Sequence, residues 1–176
     1  MVLQRLFRPR AARQTGAVLY EAVTRQARQP GLYADLGVPD TVEGRFELYN
    51  LHVLLLLNRL KGLGGEAGEV SQALFDAYVL SLDDALRDMG VGDLSVGKKM
   101  RKLGEAFYGR AKAYDSALSE ESDALQALVG RTLFADAPGG DIAAMVDYIR
   151  RTKAALAAQP LEAVLAGEPA WADILA

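Results

Sequence analysis

The stretch that decides the fold is ELYNLHVLLLLNRL, residues 47–60, in which nine of the fourteen side chains are large and apolar. Wound into a helix, these side chains cover almost the whole circumference. A helix that is apolar all round lies at the centre of a bundle or faces a hydrophobic partner. We therefore predict a long central helix from about Val42 to Lys61, with Asp40 and Glu43 forming a capping box at its start.

A polar stripe interrupts this apolar helix. Arg45, His52 and Arg59 recur at seven-residue steps, so they drift only slightly round its surface. We expect these side chains to form structural ion pairs. Removing an arginine from a buried pair would then destabilise the protein by several kcal/mol. The acidic side chains that could meet the stripe lie on the next helix, at Asp76, Asp83 and Asp84.

The rest of the chain has helical periodicity nearly throughout, and no segment alternates with period two for long enough to predict a strand. Gly90 stands where a left-handed cap residue would end a helix. We predict an all-α, single-domain compact bundle of about six main helices with short C-terminal helical pieces. Besides the central helix, the predicted helices are 16–28, 66–89, 95–118, a helix from Ser119 or Ser122 to Phe134, 141–158, and the pieces 160–167 and 169–175, with a turn-rich connection at 30–39.

Composition excludes several classes of function. The chain of 176 residues has 51% hydrophobic and 24% charged residues, an ordinary globular balance. It contains no cysteine, which excludes disulfides, thiolate zinc sites, iron–sulfur clusters and cysteine nucleophiles. His52 is the only histidine, and no G-x-S-x-G motif is present, so we predict no catalytic residues, no metal site, no cofactor and no enzymatic activity.

Charge alternates along the chain although its net value is only −3. Residues 1–30 are strongly basic, residues 31–90 acidic, residues 91–115 basic again and residues 116–176 acidic. A small negative total argues against a protein that coats nucleic acid through bulk charge, and we expect no DNA partner. A local basic patch remains compatible with this balance.

The first 13 residues, MVLQRLFRPRAAR, contain four arginines and no acid. We divide the chain into a basic N-terminal arm, residues 1–14, and one helical domain, residues 15–176. The arm fits a frayed basic tail, and it also fits a transit peptide or a membrane-touching segment. The longest apolar run, Val53–Leu57, is far shorter than the roughly 20 residues of a membrane span.

The predicted helix 95–118 has an apolar side and a basic side. This basic surface fits a solvated face, or a contact for lipid headgroups, RNA or an acidic partner protein. Near an anionic membrane such charges add about 1 kcal/mol each. Its residues are Lys98, Lys99, Arg101, Lys102 and Lys112.

Two segments, YADLGVPDTVEGRFELYNLHVLLLLNRL and QALFDAYVLSLDDALRDMGVGDLSVGKKMRKLGEAFYGRAKAYDSAL, resemble the ubiquinol–cytochrome c chaperone family. These proteins are assembly factors for the cytochrome bc respiratory complex. The match covers about residues 33–118, and looser similarity continues towards residue 150, which defines a family-like core of 33–150. The most specific strings are LGVPDT with GRFEL, then LFD, and then GVGDLSVGKKM followed by YGR.

The resemblance implies a non-enzymatic chaperone for the cytochrome bc complex (complex III). In the mitochondrial branch, members bind newly made cytochrome b, meet the ribosome near its exit tunnel and work with a small partner protein. The short chain, without a long mitochondrial presequence, favours a bacterial member in the cytoplasm or peripheral to the inner face of the inner membrane. Whether the ribosome role or the small partner extends to the bacterial branch stays open.

We therefore expect a partner in cytochrome b or another subunit of the complex. The alternative is a helical adaptor that binds the ribosome, RNA or an anionic membrane through the basic helix 98–112. A binder of apolar client segments needs an apolar groove or patch. The candidate client-binding residues, for each of which core packing is the other interpretation, are Leu36, Phe46, Tyr49, Phe75, Tyr78, Met100, Phe107 and Tyr108.

Overall fold

The computed structural model describes residues 2–119, 123–135 and 139–174, with side chains from residue 10 onward. In these ranges the chain forms eight helices and no strand, which confirms the predicted all-α class. The helices are α1 (Val2–Ala27), α2 (Pro30–Ala34), α3 (Val42–Leu60), α4 (Gly65–Asp88), α5 (Asp93–Ser119), α6 (Ala124–Thr132), α7 (Ile142–Ala158) and α8 (Leu161–Leu165).

Helix α3 lies at the centre, as its composition predicts. It contacts α1, α4, α5 and α7, while α6 packs against α5 and α7. Leu48, Leu51 and Leu56 are fully buried. Each buried leucine contributes about 1.5–3 kcal/mol relative to an exposed one, so this helix supplies a large share of the hydrophobic stabilisation.

The start of α3 differs from the predicted capping box. Thr41, with an extended backbone, is the N-cap residue, and its hydroxyl accepts a hydrogen bond of 3.1 Å from the Gly44 amide. Asp40 instead pairs with Arg45 at 2.6 Å. A threonine hydroxyl, like an aspartate carboxylate, can satisfy one of the free amides of a first turn, and here the threonine stands one residue nearer the helix.

Helix α1 packs closely along α4. It begins at Val2 rather than at the predicted Gly16, so the helix continues through the segment assigned to an arm. The division into an arm and a domain stays a prediction. The two helices approach at Gly16, where an added Cβ would lie 2.6 Å from the backbone carbon and the Cβ of Ala73.

The connections follow the predicted turn signals in part. Gly90 has a φ of +79°, which confirms the left-handed cap between α4 and α5. Ser119 ends α5, and Ser122, the other predicted start of the next helix, lies outside the described residues.

The last predicted helical piece is wrong, because the described residues 169–174 form no helix. Two backbone groups of this C-terminal strap are bonded to side chains of α7 and its C-cap instead. Gln159 accepts a hydrogen bond from the Ala170 amide at 2.9 Å, and Arg151 donates to the Asp173 carbonyl at 2.6 Å. The strap also places Trp171 edge-on against His52, with ring centres 5.3 Å apart.

A pair of glycine substitutions tests the α1–α4 contact. We expect Gly16→Ala to destabilise the protein by roughly 1–3 kcal/mol, because the new methyl group overlaps the backbone of α4. The control is Gly68→Ala in α4, which meets no neighbour and should stabilise by up to about 1 kcal/mol through helix propensity. Urea unfolding measures both, and a Gly16→Ala protein as stable as the parent would contradict the close contact.

Candidate functional site

A groove of about 630 Å³ opens where α3, α4 and α5 meet. We call it the glycine-end groove, because Gly62, Gly64 and Gly68 line it. Its apolar surface comes from the side of α3 that the neighbouring helices leave partly uncovered and from the facing side of α5. The large apolar side chains that line it are Leu54, Leu57, Leu60, Phe75, Phe107, Tyr108, Tyr114 and Leu118.

The polar groups of the glycine-end groove include a compensated pair. The Lys61 ammonium donates to both carboxylate oxygens of Asp115, at 2.9 and 2.8 Å, and the Asn58 amide donates to one of them at 3.3 Å. Because these charges satisfy one another at an exposed position, they leave the apolar lining available for an apolar ligand.

A second groove of about 670 Å³, the hairpin-end groove, lies farther along α4 and α5. Phe75 lines both grooves. Arg87, one of its lining residues, pairs with Asp83 at 2.6 Å and also with Asp93, which ties the end of α4 to the start of α5. The apolar side chains that line it are Phe75, Val79, Leu80, Val96 and Met100.

An aromatic cluster joins α4 to α5 beside the grooves. The ring of Phe75 lies 5.4 Å from Phe107 and 6.1 Å from Tyr108, and Tyr78 lies 5.1 Å from Phe107. Such tilted pairs stabilise by about 0.5–1.5 kcal/mol beyond their buried area. The cluster therefore holds together the two helices whose separation shapes the grooves.

The predicted client-binding residues divide into two groups. Phe75, Met100 and Tyr108 line the grooves with accessible surface, and Phe107 lines the glycine-end groove from a buried position. Tyr78 is buried in the core beneath them, where its hydroxyl donates to Asn50 and burial raises the pKa of the phenol. Of the two interpretations given for Tyr78, its burial fits core packing, and it lines neither groove.

The remaining three candidates lie away from the grooves. Leu36 is buried, and its carbonyl accepts a hydrogen bond from the Asp141 amide at 3.0 Å, so it too belongs to the core. Phe46 and Tyr49 are half-buried and line neither groove, and the Tyr49 hydroxyl accepts from Arg28 at 2.7 Å. Apolar periodicity identified the inward side of each helix but not how fully that side is covered.

Sequence reasoning missed part of the exposed apolar surface. Leu80 on α4 and Leu94 in the first turn of α5 are well exposed. Leu80 also lines the hairpin-end groove. Exposed apolar side chains that cluster beside a groove are typical of a contact surface. The sequence feature that could have identified this surface is that Leu80 and Leu94 each lie on an otherwise polar helix face.

The five predicted basic residues are all exposed along α5. None of them forms a salt bridge with another residue that the structure describes. Their charges are therefore open to a partner, although which partner binds them stays a prediction. They are Lys98, Lys99, Arg101, Lys102 and Lys112.

His52 is completely buried in a hydrogen-bonded chain. Its Nδ1 lies 2.8 Å from the Leu48 carbonyl, which can only accept, so Nδ1 carries the proton and donates. Its Nε2 then accepts from the Tyr148 hydroxyl at 2.8 Å, and that hydroxyl accepts from Gln26 at 2.9 Å. Burial lowers the pKa of His52 to about 4, against a smaller opposing effect of the Leu48 hydrogen bond, so the ring is neutral.

The acidic partners predicted for the polar stripe, Asp76, Asp83 and Asp84, are wrong. Arg45 is exposed and pairs with Asp40, while Arg59 donates to the carbonyls of Leu156 and Gln159, at 2.7 and 3.1 Å. Arg59 therefore holds the end of α7, and the stripe meets no acid of α4. Seven-residue steps placed these side chains near one another on α3 but could not identify the helix that each one faces.

One buried ion pair was not predicted. Arg110 on α5 binds both carboxylate oxygens of Glu47 on α3, and the Glu47 side chain is only 9% exposed. A two-pronged arginine–carboxylate contact is among the strongest polar interactions in proteins. The available signal was an acid at the start of the apolar stretch, but its partner lies 63 residues away.

The described residues contain no group of three His, Asp or Glu side chains placed to hold a metal ion. None of the helices that the structure describes has both the length and the apolar composition of a membrane span.

Comparisons with known proteins agree on one family. The family model described as ubiquinol-cytochrome C chaperone matches residues 34–171. A Drosophila melanogaster protein named ubiquinol-cytochrome c reductase complex assembly factor 1 is 24% identical over 91% of this chain. A Xenopus laevis protein with the corresponding name is 25% identical over 78% of this chain and 70% of its own length. The chain spans 65% of the length of the fly protein.

A solved structure matches over nearly the whole chain. The crystal structure of the Cbp3 homolog from Brucella abortus has a TM-score of 0.86 and 33% sequence identity, and the match covers 99% of this chain and 98% of that one. The helical arrangement described above is therefore that of a known protein fold.

The buried histidine predicts a pH-dependent stability. Since the folded pKa lies near 4 and the unfolded value near 6.5, the full contribution is present above about pH 6.5 and is lost as the pH falls towards 4. Relative to a His52→Gln variant, the parent should lose about 2 kcal/mol of unfolding free energy between pH 7.5 and pH 5. Urea unfolding of both proteins measures the difference, in which other titrations cancel; a constant difference would contradict a buried neutral ring.

Replacing the arginine of each ion pair should lower the free energy of unfolding by unequal amounts. Arg110→Met leaves the nearly buried Glu47 carboxylate without its partner and should cost about 3 kcal/mol. Arg45→Met breaks a fully exposed pair and should leave the stability almost unchanged. Thermal or urea unfolding compares them, with Glu47→Leu added to Arg110→Met expected to recover part of the loss. Equal losses of stability in the two single variants would show that the burial of an ion pair does not determine its contribution.

Proposed function

Because the chain belongs to the ubiquinol–cytochrome c chaperone family, we propose that it is an assembly chaperone for the ubiquinol–cytochrome c reductase complex. The names of the fly and frog relatives support this assignment. The match to the Brucella protein over nearly the full length of both chains supports a role based on the whole helical domain.

The client in this proposal is newly made cytochrome b, whose apolar helices need cover before their partners arrive. The observation that carries the proposal is the pair of apolar grooves along α4 and α5, which Phe75 joins. Gly64 and Gly68, four residues apart, line one of them with nothing within 4 Å of an added Cβ. Gly64 is the N-cap residue of α4 and Gly68 lies in its first turn, so this end of the groove has open space beside the backbone.

The proposed mechanism is binding without catalysis. Both ring nitrogens of His52 are engaged in hydrogen bonds inside the core, and the ring is neutral. The grooves offer apolar and aromatic surface with the Lys61–Asp115 pair already compensated. Such a surface covers an apolar segment and releases it when a partner subunit competes for the same segment.

A second candidate function is an adaptor that meets the ribosome, and one observation favours it. The five cations of α5 are exposed and have no salt-bridge partner among the described residues. Ribosomal RNA contact would make co-sedimentation with ribosomes fall steeply as salt rises. Charge reversal at Lys98, Lys99, Arg101 and Lys102 should abolish that co-sedimentation, and an unchanged result would remove this candidate.

The cellular test of the chaperone proposal removes the gene from its native host. Assembled cytochrome bc complex should fall while the transcripts of its subunits stay normal. An unchanged level of the complex would overturn the proposal.

The groove itself is tested by filling it. A photoreactive phenylalanine analogue at Tyr108 should crosslink to cytochrome b in living cells, since this exposed side chain lines the glycine-end groove. Gly68→Leu should lower the crosslink yield several-fold without lowering the melting temperature, because its Cβ meets no neighbour. The matched control is Ala157→Leu, at an exposed position on α7. Equal yields in the two variants would exclude this groove as the client site.

A further inference from the structure

One exposed face of α5 combines cations with isolated apolar side chains. Positions 94, 98, 101, 105, 108 and 112 recur at steps of four and three, so they lie on one face of the helix. At 1.5 Å per residue this face is about 27 Å long. We call it the basic stripe, defined by Leu94, Lys98, Arg101, Lys102, Glu105, Tyr108 and Lys112, all of which are exposed.

The charge of the basic stripe is not neutralised within the described part of the protein. Its four cations form no salt bridge with any described residue, and Glu105 is its only acid. A row of uncompensated cations attracts a surface of fixed negative charge, and the attraction is lost with added salt.

The apolar members distinguish between two anionic surfaces. Leu94 is as exposed as a free side chain, and Tyr108 is 66% exposed. Leu94 lies at the N-terminal end of the basic stripe and Tyr108 lies towards its C-terminal end. Met89, 64% exposed, precedes Leu94 in the adjoining loop. RNA phosphates offer nothing to an aliphatic side chain. The boundary between lipid headgroups and acyl chains takes up leucine, methionine and tyrosine while cations beside them meet the phosphates.

We propose that the basic stripe docks this protein on an anionic lipid bilayer. The four cations lie against lipid phosphates, and Leu94, Met89 and Tyr108 enter the headgroup region. Helix α5 then lies along the membrane surface, with the opposite side of the helix still packed on the body through Val96, Phe107 and Tyr114.

Docking in this orientation also sets the position of the glycine-end groove relative to the membrane. This part of the inference rests on the proposed function. Tyr108 belongs both to the basic stripe and to the lining of the glycine-end groove. The groove therefore opens beside the membrane surface, where an apolar client segment enters or leaves the bilayer.

Vesicle co-sedimentation of the full chain tests the docking. Vesicles of phosphatidylcholine with about one-third phosphatidylglycerol should bind the protein, and vesicles of phosphatidylcholine alone should not. Each cation removed should lower the affinity roughly fivefold. The test variant is Lys98→Glu/Arg101→Glu/Lys102→Glu, and the control, Arg25→Glu/Arg131→Glu/Arg150→Glu, makes the same change in net charge at exposed positions elsewhere.

A fluorescent label tests the apolar contacts. Because the chain contains no cysteine, Leu94→Cys provides a single site for an environment-sensitive dye. Its emission should shift to the blue on anionic vesicles, whereas the same dye at Ala17→Cys, on the exposed side of α1, should not respond.

Equal loss of binding in the two charge variants, equal dye shifts at both sites, or binding to RNA without binding to vesicles would each overturn the docking. The client crosslink from Tyr108 is measured separately. Its persistence after a negative vesicle result would reject the membrane surface while leaving the proposed function in place.

Discussion

The whole structure depends on the need to bury a helix that is apolar on every side. Helix α3 cannot satisfy that need with one neighbour, so α1, α4, α5 and α7 all pack against it. The covering is incomplete where α4 and α5 meet it, and there the partly buried Leu57 lines the glycine-end groove above the buried Leu54 and Leu60. The same hydrophobic demand therefore produces the core and the candidate binding surface.

The few polar side chains on α3 decide how the other helices are placed around it. A buried polar group without a hydrogen-bond partner destabilises a protein by several kcal/mol, so each polar side chain on this buried helix needs such a partner. Glu47 is met by Arg110 of α5, Asn50 by Tyr78 of α4, and His52 by Tyr148 of α7. Three contacts with three different helices restrict the rotation of α3 about its axis in a way that leucine packing alone does not.

Properties carried by single segments could be predicted from the sequence. The central position of α3 and the left-handed Gly90 follow from local composition and turn chemistry. The apolar side of α5 that carries Met100 follows from periodicity, whereas Tyr108, which also lines a groove, lies on the basic side of that helix. What could not be predicted depends on pairs of distant residues. The partner of His52 lies 96 positions away, and the partner of Glu47 lies 63 positions away. No spacing rule on one helix says which other helix will face it.

The C-terminal strap affects how the protein folds during its synthesis. Chains emerge from the ribosome from the first residue to the last, yet the surroundings of His52 are complete only when Trp171 rests against its ring. The central helix is synthesised well before Trp171 and stays partly uncovered until the strap has emerged. Contacts that close over such long sequence separations form slowly. During that interval the apolar surface of α3 that the strap later covers is open to contact with other chains.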